Sequence, residues 1–292
     1  SSGPGMSLKQ EGISFLVGAE LPALIVNISR GGPGLGNIAP SQADYFQSCK
    51  GGGHGDYRMV VYAPATVQEA ADLTIRAFDV ADRYRNPVLL LGDAILGQMM
   101  EPMMFKPFTP QRPDKPWALG GKRNGREPNL INSLSLEEGV VEQWNWKFKA
   151  KFDAMRQREG MVETFNTGDA DLILVAYGTT SRICHSVMTH ARARGLKVGL
   201  VRPITVWPFP YATLREAAKT TKEFLVVEMS LGQMIEDVKL SVLDNAALHF
   251  HGRPGGGIPE EKDITEIIDH VLVRKRKGAL TTRGSIIDWD IS

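Results

Sequence analysis

Short, uninterrupted apolar runs, spaced by stretches of helical periodicity, constrain this chain more than any other feature. Leu21 to Ile28, Arg58 to Ala63 and Val88 to Leu91 are such runs in the first third. Asp171 to Tyr177, Lys197 to Arg202 and Phe224 to Val227 repeat the pattern later. A strand that is apolar without alternation is covered on both faces, the condition of a parallel sheet flanked by helices. The intervening segments carry helix signals. Ser7 and Gln10 have capping-box spacing before a helix over Leu8 to Ala19, and Thr66 and Glu69 repeat it. Behind Thr66, Ala71, Ile75, Phe78 and Ala81 form a candidate buried stripe, ended at Asn86-Pro87. Pro40-Ser41 predicts a short helix, and further helices are expected over Ser181 to Arg194, stopped by Gly195, over Met234 to Leu243 and over Asp263 to Arg274. The expected fold class is therefore α/β, with two doubly wound domains.

The pattern breaks between them. Pro102, Pro107, Pro110, Pro113 and Pro116 crowd one stretch, and Trp117, Trp144 and Trp146 are scattered beyond. The predicted organisation is a domain over 1–100, a connecting arm over 101–168 with helix near Val140 to Arg158, and a second domain over 169–292. The arm is expected to pack through its aromatics. No internal repeat or low-complexity segment is visible.

Formal net charge is +1, which gives no global electrostatic case for nucleic acid or membrane binding. The one dense basic cluster, Arg274-Lys275-Arg276-Lys277, reads as a helix C-terminus facing water. No apolar run approaches the ~20 residues that span a bilayer. Two cysteines, Cys49 and Cys184, argue against a disulfide scaffold and for a reducing cytoplasm. Two are also fewer than the four that usually hold an iron–sulfur cluster. The opening Ser1-Ser2-Gly3-Pro4-Gly5 reads as the middle of a loop, so an upstream strand is expected to precede it.

Three stretches carry candidate chemistry. In Ser29-Arg30-Gly31-Gly32-Pro33-Gly34-Leu35-Gly36, Arg30 follows a strand end, where ligands bind in open parallel sheets. A guanidinium there suits a bidentate grip on a carboxylate, or is a surface arginine in a tight turn. In Lys50-Gly51-Gly52-Gly53-His54-Gly55-Asp56, His54 is a ligand or acid, or is structural. Arg202-Pro203 through Trp207-Pro208-Phe209-Pro210 is a fixed exit from a strand, with Trp207 and Phe209 suited to an interface or core. Glu228 before Gly232-Gln233 is placed similarly. Neither a Walker loop nor a dinucleotide fingerprint is present. No metal-ligand motif is readable, and no Gly-Asp-Gly with a downstream Asn.

Together these residues resemble the α subunits of 2-oxoacid:ferredoxin oxidoreductases. The likeness runs through Ser2-Gly3-Pro4-Gly5-Met6-Ser7-Leu8 with Glu11, Arg30-Gly31-Gly32-Pro33, Gly53-His54-Gly55-Asp56, Ala63 to Glu69, and Tyr84 to Val88. It continues through Val175 to Thr179, Arg202-Pro203, Trp207 to Pro210 and Gly232-Gln233-Met234. It implies a thiamine-diphosphate pyrimidine-type domain, lacking its first part, followed by a transketolase C-terminal-like domain. It implies oxidative decarboxylation of a 2-oxoacid to an acyl-coenzyme A and CO2, with electrons passed to ferredoxin. Arg30 would hold the substrate carboxylate, and Ser2, Gly3, Gly31, Gly32, Pro33, His54 and Asp56 would lie on substrate or cofactor loops. Thiamine diphosphate and Mg2+ would be shared with a β subunit, with no metal ligand on this chain. Iron–sulfur clusters would sit on other subunits, among them γ and ferredoxin-like δ subunits, and coenzyme A would be the co-substrate. The loop Gly32-Pro33-Gly34-Leu35-Gly36, with Asn37 and Gln42 after it, departs from the Gly-Pro-Ser-Thr-Gly of many relatives and looks like the 2-oxoisovalerate branch. In the family an upstream segment carries a substrate loop and a glutamate that protonates the cofactor, so this polypeptide alone is expected to be inactive. A transketolase or oxoacid dehydrogenase subunit, or a non-catalytic structural fragment, are the other readings of the same domains.

Overall fold

The computed structural model describes residues 1–109, 114–121, 125, 127–274 and 285–286. The basic cluster at 274–277, apart from the backbone of Arg274, lies outside these residues, as do Pro110 and Pro113. The first part runs α1 (Pro4–Gly18), β1 (Ala23–Ser29), α2 (Tyr45–Cys49), β2 (Val60–Tyr62), α3 (Val67–Tyr84), β3 (Pro87–Asp93) and α4 (Ala94–Gln98). After an irregular stretch come α5 (Val140–Arg158), β4 (Val162–Phe165), β5 (Leu172–Val175), α6 (Thr180–Ala193), β6 (Val198–Pro203) and β7 (Thr205–Trp207). The chain then forms α7 (Tyr211–Thr220), β8 (Glu223–Glu228), α8 (Met234–Val242), β9 (Ala247–Gly252), α9 (Glu261–Ile268) and β10 (Ser285–Ile286).

Two parallel-dominated sheets result, as the continuous apolar runs require. The first has the order β1-β3-β2-β7 and the second β10-β9-β8-β5-β6-β4. Only the edges are antiparallel: β7 against β2, β4 against β6 and β10 against β9. The two sheets meet with their carboxyl ends facing each other. Asp93, the last residue of β3, accepts a hydrogen bond from the Thr179 hydroxyl just beyond β5, at 2.5 Å. The Ala63 amide after β2 donates to the Ile204 carbonyl after β6, at 2.8 Å. One apolar core runs across both sheets, from Val60, Leu89 and Val88 to Ile173, Val226 and Phe250. A second core lies on the far face of the second sheet, around Leu174, Leu200, Val187 and Ile267.

Several local expectations change. Helix α1 opens at Pro4 rather than after Ser7, because Gly3 caps it and proline tolerates the first helical position. The Ser7 hydroxyl instead accepts from the Gln47 amide. Pro40 does not begin a helix: it forms an isolated bridge with Arg30, and α2 waits until Tyr45. The buried stripe of α3 is Leu73, Ala77, Val80 and Ala81, while Phe78 is 57% exposed. Two apolar stripes at helical spacing coexist in that sequence, and packing on the sheet selects the other one. Its cap is half a capping box. Thr66 Oγ1 accepts from the Glu69 amide, but Glu69 accepts from Ala65 instead of closing the box.

The segment read as an arm supplies α5 where expected, and also β4, which edges the second sheet. Trp117 lies under the Arg85 guanidinium, 4.5 Å from its ring centre, Trp144 packs on the core, and Trp146 is exposed. Beyond Pro203 the chain crosses into the first sheet as β7, placing Trp207 beside Val61 and burying Trp207 and Phe209. Among the described residues, no helix is long and apolar enough to cross a membrane.

Glu159 locks α5 to α3. It is 1% exposed and accepts from Arg76, Arg83 and the Tyr84 hydroxyl, each at 3.0 Å. Breaking a buried ion pair costs about 3–5 kcal/mol; these guanidinium groups are partly solvated, so we expect roughly 2–4 kcal/mol for Glu159→Ala. Urea unfolding should show that loss, against about 0.5 kcal/mol or less for Lys149→Ala at an exposed pair. Equal effects would mean that Glu159 is not a structural anchor.

Candidate functional site

Strand β1 delivers Arg30 to the junction between the two sheets. The loop after it closes on itself through the Gly31 amide to the Ala39 carbonyl and the Asn37 amide to the Gly31 carbonyl, both 3.0 Å. Arg30 Nη1 donates to the Leu35 and Asn37 carbonyls, at 2.5 and 2.7 Å. Its other edge is different. Among the described residues, no acceptor meets Nε–H or Nη2–H, and no carboxylate pairs with Arg30. The guanidinium is therefore anchored on one nitrogen and presents a free planar fork on the other side, the geometry that takes a carboxylate in two parallel hydrogen bonds.

Gly3 packs over the face of that guanidinium, and only a residue without a side chain fits there. A Cβ at Gly3 would stand 3.0 Å from both Nε and Nη2, and Gly3 has φ +49, where a side chain is strained. Gly3 is also the cap of α1, so the helix N-terminus and its positive dipole end adjoin the guanidinium. The backbone of Ser1 follows β1: its carbonyl accepts from Ile28 and its nitrogen donates to Val26.

The second sheet closes the other side. Asn37 Nδ2 donates to the Gly255 carbonyl, 3.0 Å away, in a turn that follows β9. The buried Gln42 amide is the main bridge. Its Nε2 donates to the Tyr177 carbonyl at 2.9 Å, and its Oε1 accepts from Thr180 at 3.0 Å and from the Met229 amide at 2.9 Å. Asp93 Oδ1 caps α4 through the Ile95 and Leu96 amides. Burial pushes its carboxyl above the usual range, against the lowering effect of Thr179 and those amides.

Of the residues read from sequence, Arg30, Ser2, Gly3, Gly31, Gly32 and Pro33 gather at this junction; Gly31 is buried, and Gly32 and Pro33 are exposed. His54 and Asp56 do not join them. The His54 carbonyl accepts from Ser14, three turns along α1 and so about 16 Å from Gly3. Both side chains line a separate cavity of about 290 Å³ with Phe15, Trp144 and Phe148. Glu228 is structural: its carboxylate accepts from the amides of Gln233, Met234 and Ile235 at the start of α8. Arg202 is held between Glu69 and Glu163. The Arg253-to-Gly257 turn escaped the sequence reading. Its signal was the run Gly252-Arg253-Pro254-Gly255-Gly256-Gly257, a turn composition shortly after Leu248 and Phe250.

No cluster of three or more His, Cys, Asp or Glu side chains suited to a metal ion occurs among the described residues. The donor set here suits a carboxylate. Cys49 and Cys184 are free thiols, and burial raises both.

Comparison with known proteins agrees with this architecture. Residues 1–157 match the family model "Pyruvate flavodoxin/ferredoxin oxidoreductase, thiamine diP-bdg", and residues 170–264 match "Pyruvate:ferredoxin oxidoreductase core domain II". Ketoisovalerate oxidoreductase subunit VorB of Methanothermobacter marburgensis is 50% identical over 93% of this chain and 77% of its own length. The 2-oxoglutarate synthase subunit KorA of the same organism is 33% identical over 90% of this chain and 77% of its own length. A solved 2-oxoglutarate:ferredoxin oxidoreductase from Magnetococcus marinus, with 2-oxoglutarate, coenzyme A and succinyl-CoA bound, superposes with a TM-score of 0.76 at 23% identity. That match covers 92% of this chain and about half, 52%, of the solved one, and bears on the fold.

Gln42 links three polar groups that water does not reach. Removing its amide leaves buried donors and acceptors unmet at about 1–3 kcal/mol each, so Gln42→Ala should lose roughly 3 kcal/mol in urea unfolding. Gln42→Glu keeps the acceptor but turns a carboxylate toward the Tyr177 carbonyl. Protonation restores a donor, so that variant's deficit should shrink as pH falls from 7.5 to 5.5. A pH-independent deficit would show that the amide hydrogen is not what joins the sheets.

Proposed function

Because the chain belongs to the 2-oxoacid:ferredoxin oxidoreductase family, we propose that it is the α-type subunit that grips the substrate carboxylate through Arg30. The open Nε/Nη2 edge of Arg30, at the carboxyl end of β1, carries this reading. The reaction is oxidative decarboxylation of a 2-oxoacid to an acyl-coenzyme A and CO2, with ferredoxin taking the electrons. Two observations favour a branched-chain acid such as 2-oxoisovalerate over 2-oxoglutarate. The relative at 50% identity is named for ketoisovalerate, and that at 33% for 2-oxoglutarate. Leu35 and Ile38 stand 82% and 79% exposed on the Arg30 loop, apolar surface suited to an aliphatic acyl chain.

Thiamine diphosphate, when bound, supplies the electron sink that makes loss of CO2 possible. The residues of this chain fit the substrate side of such a site: Gly3 packs on the guanidinium face without a side chain to displace it, and the N-terminus of α1 adds positive potential. A carboxylate held by Arg30 lies with its neighbouring keto carbon directed away from the guanidinium, toward the cleft. As the carboxylate becomes neutral CO2, the charge-assisted pair is lost and the product is released. The diphosphate and its Mg2+ are assigned to a partner β subunit, as the resemblance to the family implies. Iron–sulfur clusters are assigned to γ and ferredoxin-like δ subunits, and coenzyme A enters as co-substrate. Two buried thiols suit a reducing cytoplasm.

Arg30→Ala, made in the assembled enzyme, should cut kcat/KM for 2-oxoisovalerate. Loss of a desolvated charge pair costs roughly 2–5 kcal/mol, which is about 30- to 4,000-fold. Arg30→Lys should recover only part, since an ammonium lacks the planar fork. Steady-state kinetics with an artificial electron acceptor, beside a thiamine diphosphate titration, tests this. A kcat/KM within about threefold of wild type would return Arg30 to a turn residue. Gly3→Ala should raise KM for the oxoacid at least tenfold, because its methyl would press on the guanidinium face and turn the fork aside; an unchanged KM would place the carboxylate elsewhere.

A further inference from the structure

The arginine that meets the carboxylate is held by a residue that itself reaches across the molecule. Arg30 Nη1 leans on two carbonyls, and one of them belongs to Asn37. The Asn37 side chain is engaged at both ends: its Oδ1 accepts from the Ala39 amide at 3.0 Å, and its Nδ2 donates to the Gly255 carbonyl at 3.0 Å. Gly255 lies in the turn after β9, 218 positions further along the chain. The same turn touches the loop again one residue later. A Cβ on Gly256 would lie 2.6 Å from the Ala39 Cβ, and Gly256 has φ +102. The turn is itself braced, since Arg253 donates to Asp263 on α9, at 3.2 Å. The path is continuous: α9, the Arg253-to-Gly257 turn, the Asn37 amide, the Asn37 carbonyl, the Arg30 guanidinium.

We propose that Asn37 is a positioning residue, through which the Arg253-to-Gly257 turn of the second sheet sets the direction of the Arg30 fork and hence the fit of the oxoacid carboxylate. The proposal rests on the reading of Arg30 as the carboxylate grip. Physically, a guanidinium anchored through one nitrogen still rotates about its side chain. A carbonyl fixed in space by a second hydrogen-bonded contact removes that freedom before substrate arrives, so less ordering is left to binding. Loop residues 31–36 cannot supply this alone. They are mostly exposed, and their hydrogen bonds run to Arg30, Asn37 and Ala39, so it is through Asn37 and Gly255 that this stretch is referred to the second sheet.

The test is a double-mutant cycle in the assembled enzyme, read as KM and kcat for 2-oxoisovalerate, with thermal midpoint and thiamine diphosphate affinity beside them. Asn37→Ala should raise KM roughly 5- to 20-fold with kcat within about twofold and cofactor affinity unchanged. Asn37→Asp keeps the acceptor for Ala39 but cannot donate to Gly255, so it should behave as Asn37→Ala. Gly256→Ala, which forces the turn from the loop, should reproduce the rise in KM. In an Arg30→Ala background all three substitutions should have no further effect on KM, because they act through a guanidinium that is gone. Additive losses in that background, or an Asn37→Asp enzyme with wild-type KM, would overturn the proposal and leave Asn37 as a loop brace. If Arg30→Ala itself leaves KM unchanged, it is the carboxylate assignment that fails, and the two failures are distinct.

Discussion

The amide of Gln42 is the interaction on which the rest depends. A parallel sheet concentrates its ligand-binding potential beyond the carboxyl ends of its strands, where the loops are free of ladder hydrogen bonds. Here two such sheets point those ends at each other, and each brings backbone groups that must be satisfied away from water. A carboxylate at position 42 offers acceptors only, and an ammonium donors only. The neutral amide offers both, so one side chain meets the Tyr177 carbonyl, the Thr180 hydroxyl and the Met229 amide together. Its own backbone amide donates to the Met229 carbonyl, and its carbonyl accepts from the Tyr177 hydroxyl. The junction between the sheets is thus tied through the side chain and the backbone of one residue, and Arg30 stands beside it.

The strands of both sheets were legible from the sequence because burial on two faces leaves an unmistakable record, a run without alternation. The antiparallel edges were not. Strand β7 has three residues between Pro203 and Pro208, and its partner β2 lies far back in the sequence, in the first sheet, so no local signal tells of the pairing. Strand β9 hid for another reason. His249 and His251 interrupt its apolar pattern, although both are buried. In α3 the error was one of phase, since periodicity fixes an angle only when a single stripe is apolar, and here Phe78 and Val80 lie on different ones.

The candidate site divides in the same way. Arg30 was legible, because a strand end, a glycine loop and a cation coincide within eight residues of sequence. The free edge of its guanidinium was not, for that depends on Gly3 folding back from the start of the chain and on two carbonyls of the loop. His54 carries an equally conspicuous glycine-rich context, yet its loop is tied to Ser14 and Gln10 along the body of α1, away from the junction. Glycine around a polar residue signals close backbone approach, but not what is approached.

The charges set Arg30 apart from its neighbours. Other arginines near the junction have carboxylates of their own: Arg182 has Glu101, Arg202 has Glu69 and Glu163, and Arg253 has Asp263. The buried acids are committed as well. Asp93 and Glu228 each cap a helix, and Asp237 takes Lys50 and the hydroxyl of Tyr45. A cation whose hydrogen-bonded neighbours are neutral carbonyls keeps much of its field for an incoming anion. In the proposed reading, an acid with one carboxylate meets that cation in full, whereas a second carboxylate would find no charge to pair with along residues 31–38. Preference for a branched-chain acid would then follow from what the loop lacks, a second cation, as much as from what it offers.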